Sequence, residues 1–203
     1  MKALLLDGSI GHPGNTFRFL KRLGEQLQGI DPSCSIRILA LKGTLTADAL
    51  NELHQSDLLV IGTGTYWDSW GSPLQRFLEE ATESEGSDAW LGKPTGVLVS
   101  AHSVGAKGVL SRLQGVLNTY GCLIPPMSGW IYTAAHELAL QAPQLSETLD
   151  QVRDDLWSPK DLHVVAHNLL AASPRSPSEL RGQFKAWDVD RQGFHQVWAP
   201  ESR

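Results

Sequence analysis

The sequence predicts an α/β domain, a three-layer sandwich with a five-stranded parallel sheet of order 2-1-3-4-5. Three observations support this. Short apolar runs alternate along the chain with segments whose apolar residues recur at three- and four-residue steps. The strand-like runs are continuous rather than alternating, as strands buried on both faces require. Loops rich in small and polar residues follow the first, third and fourth runs, while the turn after the second, Lys42–Thr44, is short and plain. That asymmetry places strands one, three and four side by side, with their loops on one rim.

The elements follow in order. Ala3–Leu6 is the first strand, and Phe17, Leu20, Leu23 and Leu27 mark one face of the first helix. Ile36–Leu41 is the second strand. Leu45, Ala49, Leu50 and Leu53 mark a short helix, and Leu58–Ile61 is the third strand. Pro73 suits the first turn of the next helix, with Ser72 as its cap and Leu74, Phe77, Leu78 and Ala81 as its inner stripe. Thr95–Val99 is the fourth strand, and Leu110, Leu113, Leu117 and Tyr120 mark the helix after it. Cys122–Ile124 begins the fifth strand. Ser158, Pro159 and Asp161 open a last helix, whose apolar face is Leu162, Val165, Ala166, Leu169 and Leu170.

Two regions stand outside the pattern. Residues 126–157 are too long for a plain connection. Residues 173–203 follow the domain formed by residues 1–172. This arm carries Phe184, Trp187, Phe194 and Trp198, which disordered tails lack. It is expected to pack on its own domain or on a partner subunit.

Composition narrows the class. The chain has 203 residues, 41% apolar and 19% charged, as in one globular domain. A net charge of −5 argues against nucleic acid as the main partner. No run approaches the roughly 18 apolar residues of a membrane span. No signal peptide opens the sequence, so a cytoplasmic protein without a membrane partner is expected. Cys34 and Cys122 sit in separate apolar segments and read as buried thiols. His163 and His167 share a helix face, but no third ligand accompanies them, and no metal is expected.

The three loops carry the chemistry. The first, Gly8-Ser9-Ile10-Gly11-His12-Pro13-Gly14-Asn15-Thr16, leads into a helix whose unpaired N–H groups favour an anion. Ser9, Asn15 and Thr16 add neutral donors. No Lys follows the last glycine, so this is not a Walker A loop. The glycine spacing, with Lys42 at the end of strand two, is not a dinucleotide fingerprint. A phosphate held by neutral donors suits a mononucleotide. In the second loop, Thr65-Tyr66-Trp67-Asp68-Ser69-Trp70, a flat ring system can stack on Tyr66 or Trp67. Alternatively, these rings cover the sheet edge. The third loop, Ser100 to Gly108, offers backbone groups to the polar edge of a ring, with His102 and Lys107 adding positive character.

Together the segments LLLDGSIGHPGNT, DLLVIGTGTYWDSWGSPLQRFLEEAT and LGKPTGVLVSAHSVGAKGVLSRLQGVLNTYGCLIPP resemble the flavodoxin-like FMN reductases and quinone reductases. The resemblance covers roughly residues 2–130. It implies a flavodoxin-like fold, FMN as cofactor and NADPH or NADH as co-substrate. It implies that Ser9, Asn15 and Thr16, with the backbone of Gly11, His12 and Gly14, bind the phosphate. Thr65, Tyr66, Trp67 and Asp68 would line the isoalloxazine ring, and Ser100, His102, Ser103 and Gly105 would meet its pyrimidine edge. Tyr120 stands where related quinone reductases often carry a histidine near the flavin.

The chain departs from the family in the phosphate loop, where Ile10 and His12 replace the usual basic residue, and at Thr65, where many relatives have proline. The activity implied is two-electron transfer to a quinone, free flavin or other small acceptor by a homodimer or homotetramer. No catalytic side chain is singled out, because the cofactor carries the chemistry. The alternatives are a flavodoxin-type electron carrier and a flavodoxin-like binding protein without catalysis.

Overall fold

The computed structural model describes residues 1–11, 13–42, 46–140, 159–173 and 184. His12, Leu45, Ser158 and all of the C-terminal arm except Ser173 and Phe184 lie outside the described residues.

The strands are β1 (Lys2–Asp7), β2 (Ser35–Ala40), β3 (Leu58–Gly64), β4 (Thr95–Ala101) and β5 (Gly129–Thr133). The helices are α1 (Asn15–Ile30), α2 (Thr46–His54), α3 (Ser72–Glu80), α4 (Ala106–Tyr120), α5 (Ala134–Leu140) and α6 (Leu162–Ala172). All strand pairs are parallel, and the sheet order is β2-β1-β3-β4-β5, as the loop asymmetry predicts. The strand alternation of side chains divides the core in two. Leu4, Leu6, Leu59, Ile61, Val97 and Val99 face the side that also buries residues of α2, α3 and α4. Ala3, Leu5, Leu58, Val60 and Leu98 face the side covered by α1 and α6.

The fifth strand corrects the expectation. Residues 122–124 make only an isolated bridge, Pro94 to Leu123, and β5 begins at Gly129. Pro125 and Pro126 intervene, and proline has no N–H for a sheet ladder. The overlong 126–157 connection is thereby explained in part, since β5 and α5 lie within it. A second correction concerns α3. Its N-cap is Gly71, whose N–H donates to Thr63 Oγ1 at 3.0 Å, and Ser72 is already helical.

One buried cation belongs to the frame. The Lys93 ammonium is buried and donates to the carbonyl oxygens of Leu53 and Ser56, the latter at 2.6 Å. It thereby satisfies carbonyls at the C-terminal end of α2. Phe184 lies against Gly92, where a Cβ would come within 2.8 Å of its ring.

Candidate functional site

The loops after β1, β3 and β4 meet at the carboxyl rim of the sheet. Glycines allow the approach. Gly8 donates its N–H to Gly62 O at 2.8 Å, closing the start of loop one onto β3. A Cβ on Gly8 would fall 2.5 Å from Leu74 Cβ, and one on Gly71 would fall 2.5 Å from Gly8 O. Neither position has room for a side chain.

Loop one is shaped by a carboxylate that the sequence reading passed over. Asp7 is buried at the end of β1, and its Oδ1 accepts both Ser9 N, at 3.0 Å, and Ser9 Oγ, at 2.6 Å. The Ser9 hydroxyl proton is therefore committed inward. Ser9 ties the loop together here and offers no donor outward. Thr16 is also buried, and its Oγ1 pairs with Ser100 Oγ at 2.8 Å, joining α1 to the end of β4. Asn15 is the exposed polar side chain at the helix start.

The curl that precedes α1 needs glycine, because a Cβ on Gly14 would lie 2.4 Å from Gly11 O. Gly14 is the N-cap of α1, and no side chain caps that helix. Its first-turn N–H groups are thus left for an anion rather than a built-in cap.

Loop two is a tight hairpin. Tyr66 and Ser69 exchange backbone hydrogen bonds at 2.8 and 2.9 Å around Trp67 and Asp68. Both central residues have positive φ, 49° and 58°, the pattern of a type I′ turn. Such turns favour Asn and Gly, so a tryptophan in the left-handed region is strained. Trp67 is fully exposed at the turn tip. Tyr66 instead packs close over two glycines at the sheet end: Cβ atoms on Gly64 and Gly71 would come within 2.9 and 3.2 Å of its ring. Its hydroxyl accepts Ile10 N–H at 3.1 Å, latching loop two to loop one. Of the two expected stacking rings, Trp67 projects outward and Tyr66 packs inward. Trp70 is half-buried against the core, with the Arg112 guanidinium 5.9 Å from its ring.

Loop three meets loop two at Gly105. Gly105 caps α4 with φ of 86°, and a Cβ there would lie 2.2 Å from Asp68 Oδ1. Asp68 thus sits against the start of α4, where a carboxylate is electrostatically favoured. Arg112, one more residue absent from the sequence reading, donates to Asp68 O. Thr65 N–H donates to Ser100 O at 2.7 Å, while Thr65 Oγ1 is buried and has no hydrogen-bond partner among the described residues. A buried hydroxyl without a partner is costly and suits a site that a polar ligand completes. His102, Ser103, Val104 and Lys107 are exposed. Among the described residues, each rim loop carries one exposed large hydrophobic side chain, namely Ile10, Trp67 and Val104.

Tyr120 does not join this site. Its hydroxyl donates to Leu78 O, its ring packs 4.6 Å from Trp90, and it ends the helix that Gly105 begins. Fifteen helical residues put roughly 20 Å between those ends.

A doubly covered parallel sheet of this order, with three loops meeting at an uncapped helix start, defines a flavodoxin-like protein. Residues 1–137 match the family described as NADPH-dependent FMN reductase, and the chain belongs to that family. The family uses FMN and NAD(P)H. No curated protein matches the chain.

Among solved structures, the chain resembles an oxidoreductase from Corynebacterium diphtheriae. Identity is 18%, coverage is 85% of this chain and 97% of that one, and the TM-score is 0.65. The apo form of the NADH:FMN oxidoreductase EmoB matches with 15% identity, 88% and 93% coverage, and a TM-score of 0.65. FerB, an NAD(P)H:(acceptor) oxidoreductase flavoenzyme from Paracoccus denitrificans, matches with 16% identity, 85% and 99% coverage, and a TM-score of 0.62. No helix among the described residues is long and apolar enough to cross a membrane.

Proposed function

We propose that this chain reduces a small planar acceptor, of the quinone or free-flavin type, at the expense of NAD(P)H, with FMN held across the three rim loops. The observation that carries this reading is the junction of those loops, with its uncapped α1 start, unpartnered Thr65 hydroxyl and exposed apolar tips. FMN held there would supply the two-electron chemistry between the nicotinamide and the acceptor.

The chain's own part is binding and exclusion. The first-turn N–H groups of α1 and the Asn15 side chain hold the phosphate. Ser9 and Thr16, expected as direct phosphate ligands, instead brace the loop through Asp7 and Ser100. A phosphate held without a basic residue in its loop is bound through backbone dipoles, which suits a cofactor held with modest affinity. Tyr66 fixes the floor, and Thr65, Ser100, His102, Ser103 and Gly105 face the polar edge of the ring. Trp67, Ile10 and Val104 form an apolar rim where a flat acceptor displaces water. A homodimer or homotetramer, as in the family resemblance, would bring a second rim against this one, and a cytoplasmic location suits NAD(P)H as the reductant.

The test is a steady-state acceptor profile with FMN-loaded protein and NADPH, comparing a benzoquinone, free FMN, riboflavin and ferricyanide. The reading expects kcat/KM for a planar two-electron acceptor well above that for ferricyanide. Reduction of ferricyanide alone would overturn it and leave an electron carrier.

A further inference from the structure

Beside the FMN site, on the outer flank of α1, lies a cavity of about 320 Å³. One wall is α1, through Asn15, Arg18, Phe19 and Arg22; the other is the β5–α5 junction, through Tyr132 and Glu137. Asn15 lines this cavity and also opens α1 at the end of the phosphate loop, so the two are adjacent.

The wall chemistry is specific. Arg18 and Arg22 are four residues apart, so both guanidiniums lie on one face of α1. Among the described residues neither is in an ion pair. Between them Phe19 is buried, its ring 4.5 Å from Tyr132 and 4.8 Å from Trp130, with the Arg22 guanidinium 5.8 Å above it. The Tyr132 hydroxyl donates to Glu137 Oε2 at 2.5 Å, which occupies part of the one carboxylate that lines the cavity among the described residues. Burial, reinforced by Glu137, pushes the Tyr132 phenol up to about 12. Two guanidiniums against one engaged carboxylate leave a surplus of positive charge over an aromatic floor.

Guanidiniums pair with phosphate oxygens in forked geometry, and an aromatic floor takes a heterocycle. The volume is at the small end of ligand sites and suits a mononucleotide portion rather than a whole dinucleotide. We propose that this cavity is a second nucleotide subsite, in which Arg18 and Arg22 hold a phosphomonoester joined to an aromatic heterocycle. The proposal rests on the reading of the rim loops as the FMN site. Two molecules of that reaction carry such a group: NADPH, at its 2′-phosphoadenosine end, and free FMN arriving as acceptor.

The probe is 2′,5′-ADP, titrated calorimetrically into the protein with and without saturating FMN. The Arg18→Gln, Arg22→Gln double variant should bind it at least about tenfold more weakly, as loss of charge-assisted hydrogen bonds implies. Glu137→Gln should tighten it. Both arginines are exposed, so circular dichroism should show the fold intact.

Turnover then separates the sources. A fall of about tenfold in the NADPH:NADH preference assigns the subsite to the reductant. A fall in the FMN:riboflavin acceptor preference, with the NADPH:NADH preference kept, assigns it to the acceptor. Equal binding of 2′,5′-ADP by wild type and double variant, with both preferences kept, overturns the proposal. The calorimetry needs no bound flavin, so a failure of the FMN reading would show separately as absent FMN binding.

Discussion

The Tyr66 hydroxyl accepts the Ile10 N–H at 3.1 Å, so the ring expected to stack on a cofactor serves as the latch between two rim loops. Tyr66→Phe removes that acceptor and keeps the ring over Gly64 and Gly71. A lost neutral hydrogen bond is worth about 1 kcal/mol, so FMN affinity should fall roughly fivefold. Tyr66→Ala should lower it further, because the floor goes as well. Quenching of FMN fluorescence gives both constants. An unchanged constant for Tyr66→Phe would show that the latch plays no part in binding.

The hairpin at Trp67 and Asp68 holds two side chains at positive φ. Replacing the pair by Asn-Gly supplies the residues this turn favours and should stabilise the fold by about 1 kcal/mol in urea denaturation. The same change removes the exposed indole and should raise KM for a quinone acceptor. No gain in stability would mean the turn is unstrained in solution. An unchanged KM would take Trp67 out of the acceptor rim.

Lys93 ends α2 from the inside. Lys93→Met fills similar volume but takes the ammonium from the Ser56 carbonyl, while Leu53 O keeps the Ser56 N–H and hydroxyl as donors. The expected loss is about 1–3 kcal/mol, from one buried acceptor left unsatisfied and a favourable helix-end charge removed. Guanidinium denaturation measures it; a loss below half a kcal/mol would show that water replaces the ammonium.

Alkaline stability follows from the buried thiol. Burial pushes Cys122 from 9.0 up to about 12. A folded pKa above the unfolded one means the unfolded chain gives up its proton first. The stabilisation is complete below about pH 9 and is lost as pH rises toward about 12. One such group gives a slope of about 1.4 kcal/mol per pH unit in that window. Cys122→Ala should flatten the decline between pH 9 and 11 in denaturation series. An equally steep decline in the variant would move the cause elsewhere.

The sheet order was legible because small-residue loops follow β1, β3 and β4 and not β2. The place of β5 was not, since Cys122–Ile124 is as apolar as a strand and only the prolines after it stop the ladder. The missed role of Asp7 had a local signal. Asp7-Gly8-Ser9 has the same spacing as Asp31-Pro32-Ser33, where Asp31 Oδ1 accepts Ser33 N at 2.9 Å and Oγ at 2.6 Å. An aspartate two residues before a serine closes this turn in both places. The Ser33 hydrogen bonds also hold the Asp31 carboxyl below its usual range. Arg18, Arg22 and Tyr132 had no such signal, because their cavity exists only after α1 packs beside β5. The contact between Asp68 and Gly105 is equally a product of topology.

The most direct test of the central claim is anaerobic visible spectroscopy of the purified chain with FMN and NADPH. FMN should bind with quenched fluorescence, bind more weakly after Asn15→Ala, and lose its oxidised visible band when NADPH is added. The band should return when a quinone or free flavin is supplied. Unquenched fluorescence at saturating FMN, in protein shown to be folded, would contradict the account.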